Sequence, residues 1–259
     1  MNNKIYNDSK CKTALPSNFG WLEYELGQEE MDYLWECVRC KEDEVTDILA
    51  GNLESSFNLI DKNNWFFDNI LINLVEKYEN CYGLTETASM NWFDPDAPID
   101  KSRHESYLKQ WWVNYQNKYE FNPLHKHSGI YSFVIWLKIP TSYLVENEDN
   151  VSNSKVKSNF CFSLTNTLGQ IRDSQFDMDP SYEGKMLFFP SEMHHQVYPY
   201  YTSDEQRISI SGNVSRRMRM PDHMNRNQHL HLNREDQTKN KKEKYFTNGK
   251  MSITLSTEE

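Results

Sequence analysis

The sequence lacks the marks of a membrane-spanning protein and of a disulfide-stabilised secreted protein. No apolar run approaches the ~20 residues that a bilayer-spanning helix requires, and the first ten residues, MNNKIYNDSK, have no apolar core of the kind found in signal peptides. The five cysteines are odd in number and scattered, unlike a disulfide framework. We therefore expect a soluble protein of a reducing compartment, the cytoplasm, without a membrane partner.

Positive charge is also scarce. The chain of 259 residues carries 28 Lys and Arg against 38 Asp and Glu, a net charge of −10, which argues against nucleic acid as a partner. The balance differs along the chain, because residues 216–259 hold ten basic and six acidic side chains. This segment is poor in large aliphatic residues, and its His229 and His231 have no partner cluster. We expect a basic tail that is mostly flexible.

The first part of the chain, residues 1–104, predicts a layer of strand and helix. The segment WLEYEL at 21–26 alternates apolar and polar residues, which is typical of a half-buried strand. Two amphipathic stripes with helical spacing follow, one through Met31, Leu34, Trp35 and Val38 and one from Phe66 to Tyr78.

From residue 105 to 215 the pattern changes to short segments rich in β-branched and aromatic residues. They are 111–117, 131–139, 159–165, 185–189, 195–200 and 207–214. Such spacing predicts an all-β sandwich or barrel, whereas the polar, turn-rich residues 141–158 predict a surface loop. We therefore expect a mainly β fold with N-terminal helices, in which residues 1–104 pack on a core formed by 105–215.

Three histidines in this region are candidate metal ligands. Alternate side chains of an extended segment share a face, so His125 and His127 would point the same way, and His195 follows 68 residues later. Imidazole is a common ligand for iron, zinc, copper and nickel. Two interpretations stay open on spacing alone. The histidines form a metal site, or the HKH segment is a solvated loop and His194 and His195 end a strand.

The segment RISISGN adds a candidate anion site. Arg207, Ser209, Ser211 and Asn213 share one face of the predicted strand, and Ile208 and Ile210 share the other. A guanidinium matches a carboxylate bidentately, and the hydroxyl of Ser209 can donate beside it. The pattern favours a small carboxylic acid bound next to a metal, although an arginine on an edge strand, paired with an acidic neighbour, would give the same pattern.

These motifs together resemble a known family. The order H-x-H (125–127), G-K-M-L-F-F-P-S-x-x-x-H-x-V-x-P (184–199) and R-I-S-I-S-G-N (207–213) is similar to the iron(II)/2-oxoglutarate oxygenase superfamily, and more closely to the 2OG-Fe(II) oxygenases of tailed phages. The resemblance covers roughly 105–215, and WLEYEL, LAGN (49–52) and WWVNYQ also resemble the phage group.

The resemblance implies a double-stranded β-helix, or jelly roll, that holds Fe(II) and the cosubstrate 2-oxoglutarate. It implies that His125 and His195 are metal ligands, and that Arg207, with Ser209 beside it, holds the far carboxylate of 2-oxoglutarate. The chain departs from the family where His127 replaces the usual Asp or Glu, and we take His127 as the third ligand.

Four further residues complete the prediction for the site. Asp177 and Asp179 are weaker candidates than His127 for the third ligand. Asn114 and Tyr131 are predicted to line the cosubstrate pocket, and for each a simple packing or surface role is the alternative.

Three functions remain open at this point. The first is a hydroxylase that uses 2-oxoglutarate and acts on a protein or a small molecule, in the host cytoplasm if the chain is phage-encoded. The second is a non-catalytic jelly-roll assembly or binding module with a vestigial or structural metal site, and the third is a three-histidine dioxygenase that needs no 2-oxoglutarate. The sequence identifies neither the primary substrate nor the oligomeric state.

Overall fold

A computed structural model describes residues 19–83, 104–166 and 168–218. Cys11, His229, His231 and the predicted tail beyond residue 218 lie outside the described residues. Among the described residues, no helix is both long and apolar enough to cross a bilayer.

The described chain contains ten strands and three α-helices. The strands are β1 (Leu22–Glu25), β2 (Ser55–Asn58), β3 (His104–Gln116), β4 (Asn122–His125), β5 (Tyr131–Lys138), β6 (Phe160–Thr165), β7 (Ile171–Phe176), β8 (Lys185–Pro190), β9 (His194–Val197) and β10 (Arg207–Met218). The helices are α1 (Gln28–Arg39), α2 (Ile72–Tyr82) and the short α3 (Tyr143–Glu146), and a π-helical turn, Phe67–Leu71, leads into α2.

The strands form two sheets. One has six strands in the order β1-β8-β5-β10-β3-β2, and the other has four in the order β4-β9-β6-β7. From β3 onward the chain passes repeatedly from one sheet to the other, which is the eight-stranded jelly-roll arrangement. The predicted mainly β fold with N-terminal helices and a double-stranded β-helix core is confirmed.

The six-stranded sheet is buried on both faces, which explains the nearly continuous apolar run of β5. Val134 and Trp136 pack with Phe160 and Phe162 of the four-stranded sheet. The alternate residues of β5 pack with the N-terminal helices in the second core, where Phe133 contacts Phe66 with ring centroids 6.1 Å apart. Because period-two alternation sends neighbours to opposite faces, β5 supplies apolar side chains to both cores.

Several boundaries differ from those expected. Each of the six predicted strand segments overlaps a strand, but residues 198–200 of the segment 195–200 lie beyond the end of β9. Strand β3 begins at His104 rather than near 111, and β10 continues to Met218, so residues 216–218 belong to a strand rather than to the tail. Residues 141–158 contain α3 as well as loop. Strands β2 and β7 were not predicted, because SSFN and IRDSQF are polar edge strands that lack an apolar run.

Candidate metal centre

Three histidines meet at the end of strand β4. His125 is the last residue of β4 and lies opposite His195 of β9 in the strand register. His127 follows two residues after β4, and its backbone N–H donates to the carbonyl of Ser191 at 2.9 Å. One potential ligand atom from each histidine lies within 4.8 Å of the others. The pairing of β4 with β9, together with the turn after β4, therefore brings the three predicted ligands into one cluster.

Burial favours the neutral form of the three imidazole rings. Nδ1 of His125 donates to the carbonyl of Pro123 at 2.7 Å, and Nδ1 of His195 donates to the carbonyl of Met193 at 3.0 Å, which leaves each Nε2 atom unprotonated and available to a metal ion. Burial lowers the pKa of His127 to about 3, and it also lowers the pKa values of His125 and His195. Neutral imidazole is the form that binds a metal ion.

Aromatic rings pack around two of the histidines. The ring centroid of His195 lies 5.0 Å from that of Phe189 and 5.6 Å from that of Phe160. The ring of His127 lies 5.7 Å from that of Trp112. These apolar contacts fix the orientation of the imidazoles and exclude water from their protein side.

A cavity of about 240 Å³ adjoins the histidine cluster. It is smaller than the 300–1,000 Å³ usual for drug-sized ligands, so it suits a small molecule. One wall is the polar face of β10, formed by Arg207, Ser209, Ser211 and Asn213. The apolar face of the same strand, with Ile208 and Ile210, packs in the core beside the helices. The face predicted from the alternation of β10 is therefore the face that lines the cavity.

Arg207 is a buried cation among neutral partners. It is 1% exposed, its Nη1 donates to Oε1 of Gln116 at 3.4 Å, and its Nη2 donates to the carbonyl oxygen of Ser158 at 3.0 Å and to the hydroxyl of the same residue. The guanidinium lies over the ring of Tyr200, 5.2 Å from its centroid. Burial lowers the pKa of Arg207 to about 10, whereas Tyr200 and Glu146 act to raise it.

The neighbours of Arg207 neither satisfy all of its hydrogen-bond donors nor form an ion pair with it. Its Nε has no hydrogen-bond partner, and none of the ion pairs found among the described residues involves it. Strand β10 also lies inside its sheet, between β5 and β3, rather than at an edge. An arginine paired with an acidic neighbour on an edge strand is therefore not what the structure shows. A buried guanidinium with free donors is suited to an anionic ligand.

The two predicted pocket residues on other strands have different positions. Asn114 of β3 lines the cavity and is held by Ser56, whose hydroxyl donates to Oδ1 at 2.9 Å, and by Ser211, whose hydroxyl accepts from Nδ2 at 3.2 Å. Tyr131 does not line the cavity. Its ring lies in the helix-side core, 5.1 Å from the ring of Tyr78, because its position in β5 points away from the four-stranded sheet. The structure therefore places Tyr131 in the core beside the helices and not, as predicted, in the wall of the pocket.

Asp177 and Asp179 stand outside the histidine cluster, which contains no carboxylate from the described residues. Oδ1 of Asp177 accepts from Nδ2 of Asn159 at 2.9 Å, and Oδ1 of Asp179 accepts from the backbone N–H of Ser181 at 2.8 Å. Both carboxylates therefore have structural partners of their own.

Residues 110–213 match the family described as "Putative 2OG-Fe(II) oxygenase". These residues form a 2OG-Fe(II) oxygenase domain. Its cofactors are Fe(II) and 2-oxoglutarate. No curated protein matches the chain.

The chain also matches three solved structures over about three quarters of its length. An oxidoreductase of the 2OG-Fe(II) oxygenase family from Burkholderia pseudomallei is 12% identical, with a TM-score of 0.47 over 76% of this chain and 84% of that chain. A prolyl-4-hydroxylase from Pseudomonas putida is 15% identical, with a TM-score of 0.42 over 77% and 94%. HygX from Streptomyces hygroscopicus, solved with nickel, 2-oxoglutarate and hygromycin B, is 11% identical, with a TM-score of 0.46 over 76% and 83%.

The donor set of the oxygenase domain fits these cofactors. Imidazole nitrogen binds Fe(II) well, and non-heme iron oxygenases commonly hold the metal with three protein ligands on one face. The cluster supplies three imidazoles, and Arg207, whose Nε has no hydrogen-bond partner, lines the cavity beside it. The three histidines and Arg207 therefore border the same cavity.

Sequence reasoning missed several residues of the oxygenase domain that shape the cavity. Trp112 and Gln116 line it from β3, and the period-two alternation through Asn114 was a signal that could have identified both. Asn122 also lines the cavity, and its Oδ1 is buried without a partner. Ser158 lies in a segment that was predicted as a loop, and no local pattern indicates its contact with Arg207.

Proposed function

We propose that the chain is an Fe(II)- and 2-oxoglutarate-dependent hydroxylase in which His125, His127 and His195 hold the metal. The observation that carries this proposal is the placement of a buried, unsatisfied arginine and a three-histidine cluster on the wall of one small cavity. When bound, iron and 2-oxoglutarate supply the oxidation of a substrate C–H bond by dioxygen, with release of succinate and carbon dioxide.

In this proposal Arg207 binds the far carboxylate of 2-oxoglutarate and the hydroxyl of Ser209 donates to it. The support is the position of both residues on the cavity face of β10 and the free Nε of Arg207. Asn114 lines the wall beside Ser211, and its amide is fixed by two hydroxyl partners.

The carbonyl partners of Nδ1 orient the metal-binding rings in this site. The proton on Nδ1 of His125 and of His195 is held by a backbone carbonyl oxygen, so Nε2 is directed to the metal without a change of tautomer. His127 occupies the position where the family has a carboxylate. A neutral ligand there leaves the site one unit more positive than the usual site, which favours binding of the dianion 2-oxoglutarate.

The primary substrate is a protein side chain or a small molecule that reaches the cavity past the loop at 48–53. Exposed Ile48 and Ala50 and half-buried Leu49 and Leu53 border the cavity there. Within the superfamily, we place the chain with the oxygenases of tailed phages, on the support of its LAGN and WLEYEL segments. The free cysteines Cys37, Cys40, Cys81 and Cys161 agree with a reducing cytoplasm, that of the host for a phage protein.

The experiment that tests this function is an anaerobic titration of the full chain with Fe(II) and then with 2-oxoglutarate, followed by the visible charge-transfer band of the chelate. We expect a saturable band in the parent and none in Arg207→Ala at the same 2-oxoglutarate concentration. Iron binding without a band in the parent would favour the three-histidine dioxygenase. Failure to bind iron would favour the non-catalytic module.

A further inference from the structure

Ser158 makes an unusual pair of contacts with Arg207. It is fully buried, and both its carbonyl oxygen and its hydroxyl oxygen accept from Nη2 of the guanidinium. Its backbone φ is +70°, in the left-handed region that side chains other than glycine, asparagine and aspartate rarely adopt. The strained backbone is what turns two oxygens of one residue toward one nitrogen, and such strain persists only where surrounding contacts enforce it.

Hydrogen bonds and a ring contact hold Ser158 and Arg207 in place. The backbone N–H of Ser158 donates to the carbonyl of Pro199 at 2.9 Å, and the next residue, Tyr200, has its ring under the guanidinium. The Tyr200 hydroxyl lies 2.8 Å from the carbonyl oxygen of Gln116, whose side chain accepts from Nη1 of Arg207. Ser158, Tyr200 and Gln116 therefore hold the guanidinium from three directions.

These contacts orient the cation without neutralising it. Every hydrogen-bond acceptor is an uncharged oxygen, and the three contacts use three of the five N–H donors of the guanidinium. Nε has no partner. A carboxylate in place of Ser158 would satisfy Arg207 internally, whereas a serine leaves both the charge and the remaining donors for a ligand.

We propose that Ser158 is the positioning residue of Arg207, which holds the guanidinium in the orientation that binds the second carboxylate of the cosubstrate. This inference rests on the proposed function, because it assumes that Arg207 holds the far carboxylate. Ser158 does not line the cavity itself, so its effect reaches the ligand only through the guanidinium.

The test compares four variants of the full chain loaded anaerobically with Fe(II): Ser158→Ala, Ser158→Gly, Arg207→Ala and the control Ser181→Ala. Ser181 is an exposed serine on the turn after Asp179. Ser158→Gly relieves the left-handed backbone, so it stays folded if strain makes the alanine variant unstable. The dissociation constants of Fe(II), 2-oxoglutarate and pyruvate are measured by calorimetry, since pyruvate keeps the 2-oxo acid and lacks the second carboxylate.

We expect both Ser158 variants to bind 2-oxoglutarate about tenfold more weakly, because each loses one hydrogen bond to a charged group. Their affinities for Fe(II) and pyruvate should equal those of the parent, and Ser181→Ala should equal the parent in all three. A merely structural role would weaken pyruvate and iron as well, which would overturn the inference.

The inference is also overturned if Arg207→Ala loses 2-oxoglutarate while both Ser158 variants retain it, and in that case the proposed function stands. If Arg207→Ala itself binds 2-oxoglutarate like the parent, the assigned role of Arg207 fails, and the inference fails with it.

Discussion

His125 and His195 are cross-strand partners, directly opposite each other on β4 and β9, with ring centroids 4.3 Å apart. The register of two strands therefore sets the distance between these two candidate ligands. The pairing of β4 with β9 shifts register between Asn122 and His125, which shows that the local strand geometry is irregular just before the site. A one-residue slip of β4 would turn His125 away from His195.

Replacement of His125 or His195 by alanine should remove Fe(II) binding while the domain stays folded. Each change deletes a proposed ligand, so the loss should exceed the roughly 10- to 100-fold that removal of an outer partner costs. Fe(II) titration and circular dichroism of the full chain measure the two properties. His194→Ala is the matched control, because His194 is exposed and outside the cluster. Equal iron affinity in all three variants would contradict the ligand assignment.

Replacement of His127 by aspartate should increase the turnover of 2-oxoglutarate. The carboxylate restores the charge that the family usually has at this position and reduces the net positive charge of the loaded site. The measurement is succinate formation with Fe(II) present, and His127→Asn, which is similar in size and uncharged, is the control. Higher turnover in both variants would show that ring removal, not the carboxylate, causes the change.

Glu146 should contribute stability that depends on pH. It is 2% exposed. Burial alone would raise the pKa of Glu146, but hydrogen bonds from Thr202, Thr141 and the backbone N–H groups of Thr202 and Tyr201 lower it overall. A carboxyl whose folded pKa is below its unfolded value stabilises the protein above the unfolded pKa, about 4.3. That stabilisation is lost as the pH falls through the folded value.

We therefore expect Glu146→Gln to unfold more readily than the parent at pH 7, by about 1–3 kcal/mol. The difference should shrink as the pH falls below about 4, and melting curves recorded across this range measure it. A difference that stays constant with pH would mean that the ionised form of Glu146 gains nothing from its partners.

Gly212 should not tolerate a side chain. A Cβ atom there would lie 2.5 Å from Cζ of Phe133 and 2.7 Å from Cβ of Trp111, so β10 would have to move away from its neighbours. We expect Gly212→Ala to lower stability by about 1–3 kcal/mol, the usual cost of overpacking a core. Denaturant unfolding measures this cost. Gly27→Ala is the control, since its nearest atom is the flexible carboxylate of Glu30 at 3.5 Å.

The fold could be predicted largely from sequence because its central strands are marked by their apolar residues. YSFVIWLK of β5 and KMLFFP of β8 are buried almost throughout, so their composition alone indicates strand. The edge strands β2 and β7 were not predicted, since a strand exposed to solvent on one side lacks a run of apolar residues. The first half of the long strand β3 was not predicted either, because HESYLKQ is polar.

Part of the candidate site was also predicted from the sequence, through the alternation and spacing of its residues. Alternation identified the cavity face of β10, and spacing identified His125 and His127 as neighbours. Alternation was not enough for Tyr131, because a strand buried on both faces offers no polarity signal to tell which side meets the cavity. The contact of Ser158 with Arg207 joins residues 49 positions apart, and only the folded chain reveals it.

The two halves of the candidate site belong to different sheets. His125 and His195 stand on the four-stranded sheet, and Arg207 stands on the six-stranded sheet. In the proposed site, a ligand that is bound at one end through the metal and at the other by the guanidinium would connect the two sheets. Amide hydrogen exchange in β4, a four-residue strand at the sheet edge, should then slow when iron and 2-oxoglutarate are both present. In that case the cosubstrate itself would stabilise the packing of one sheet on the other.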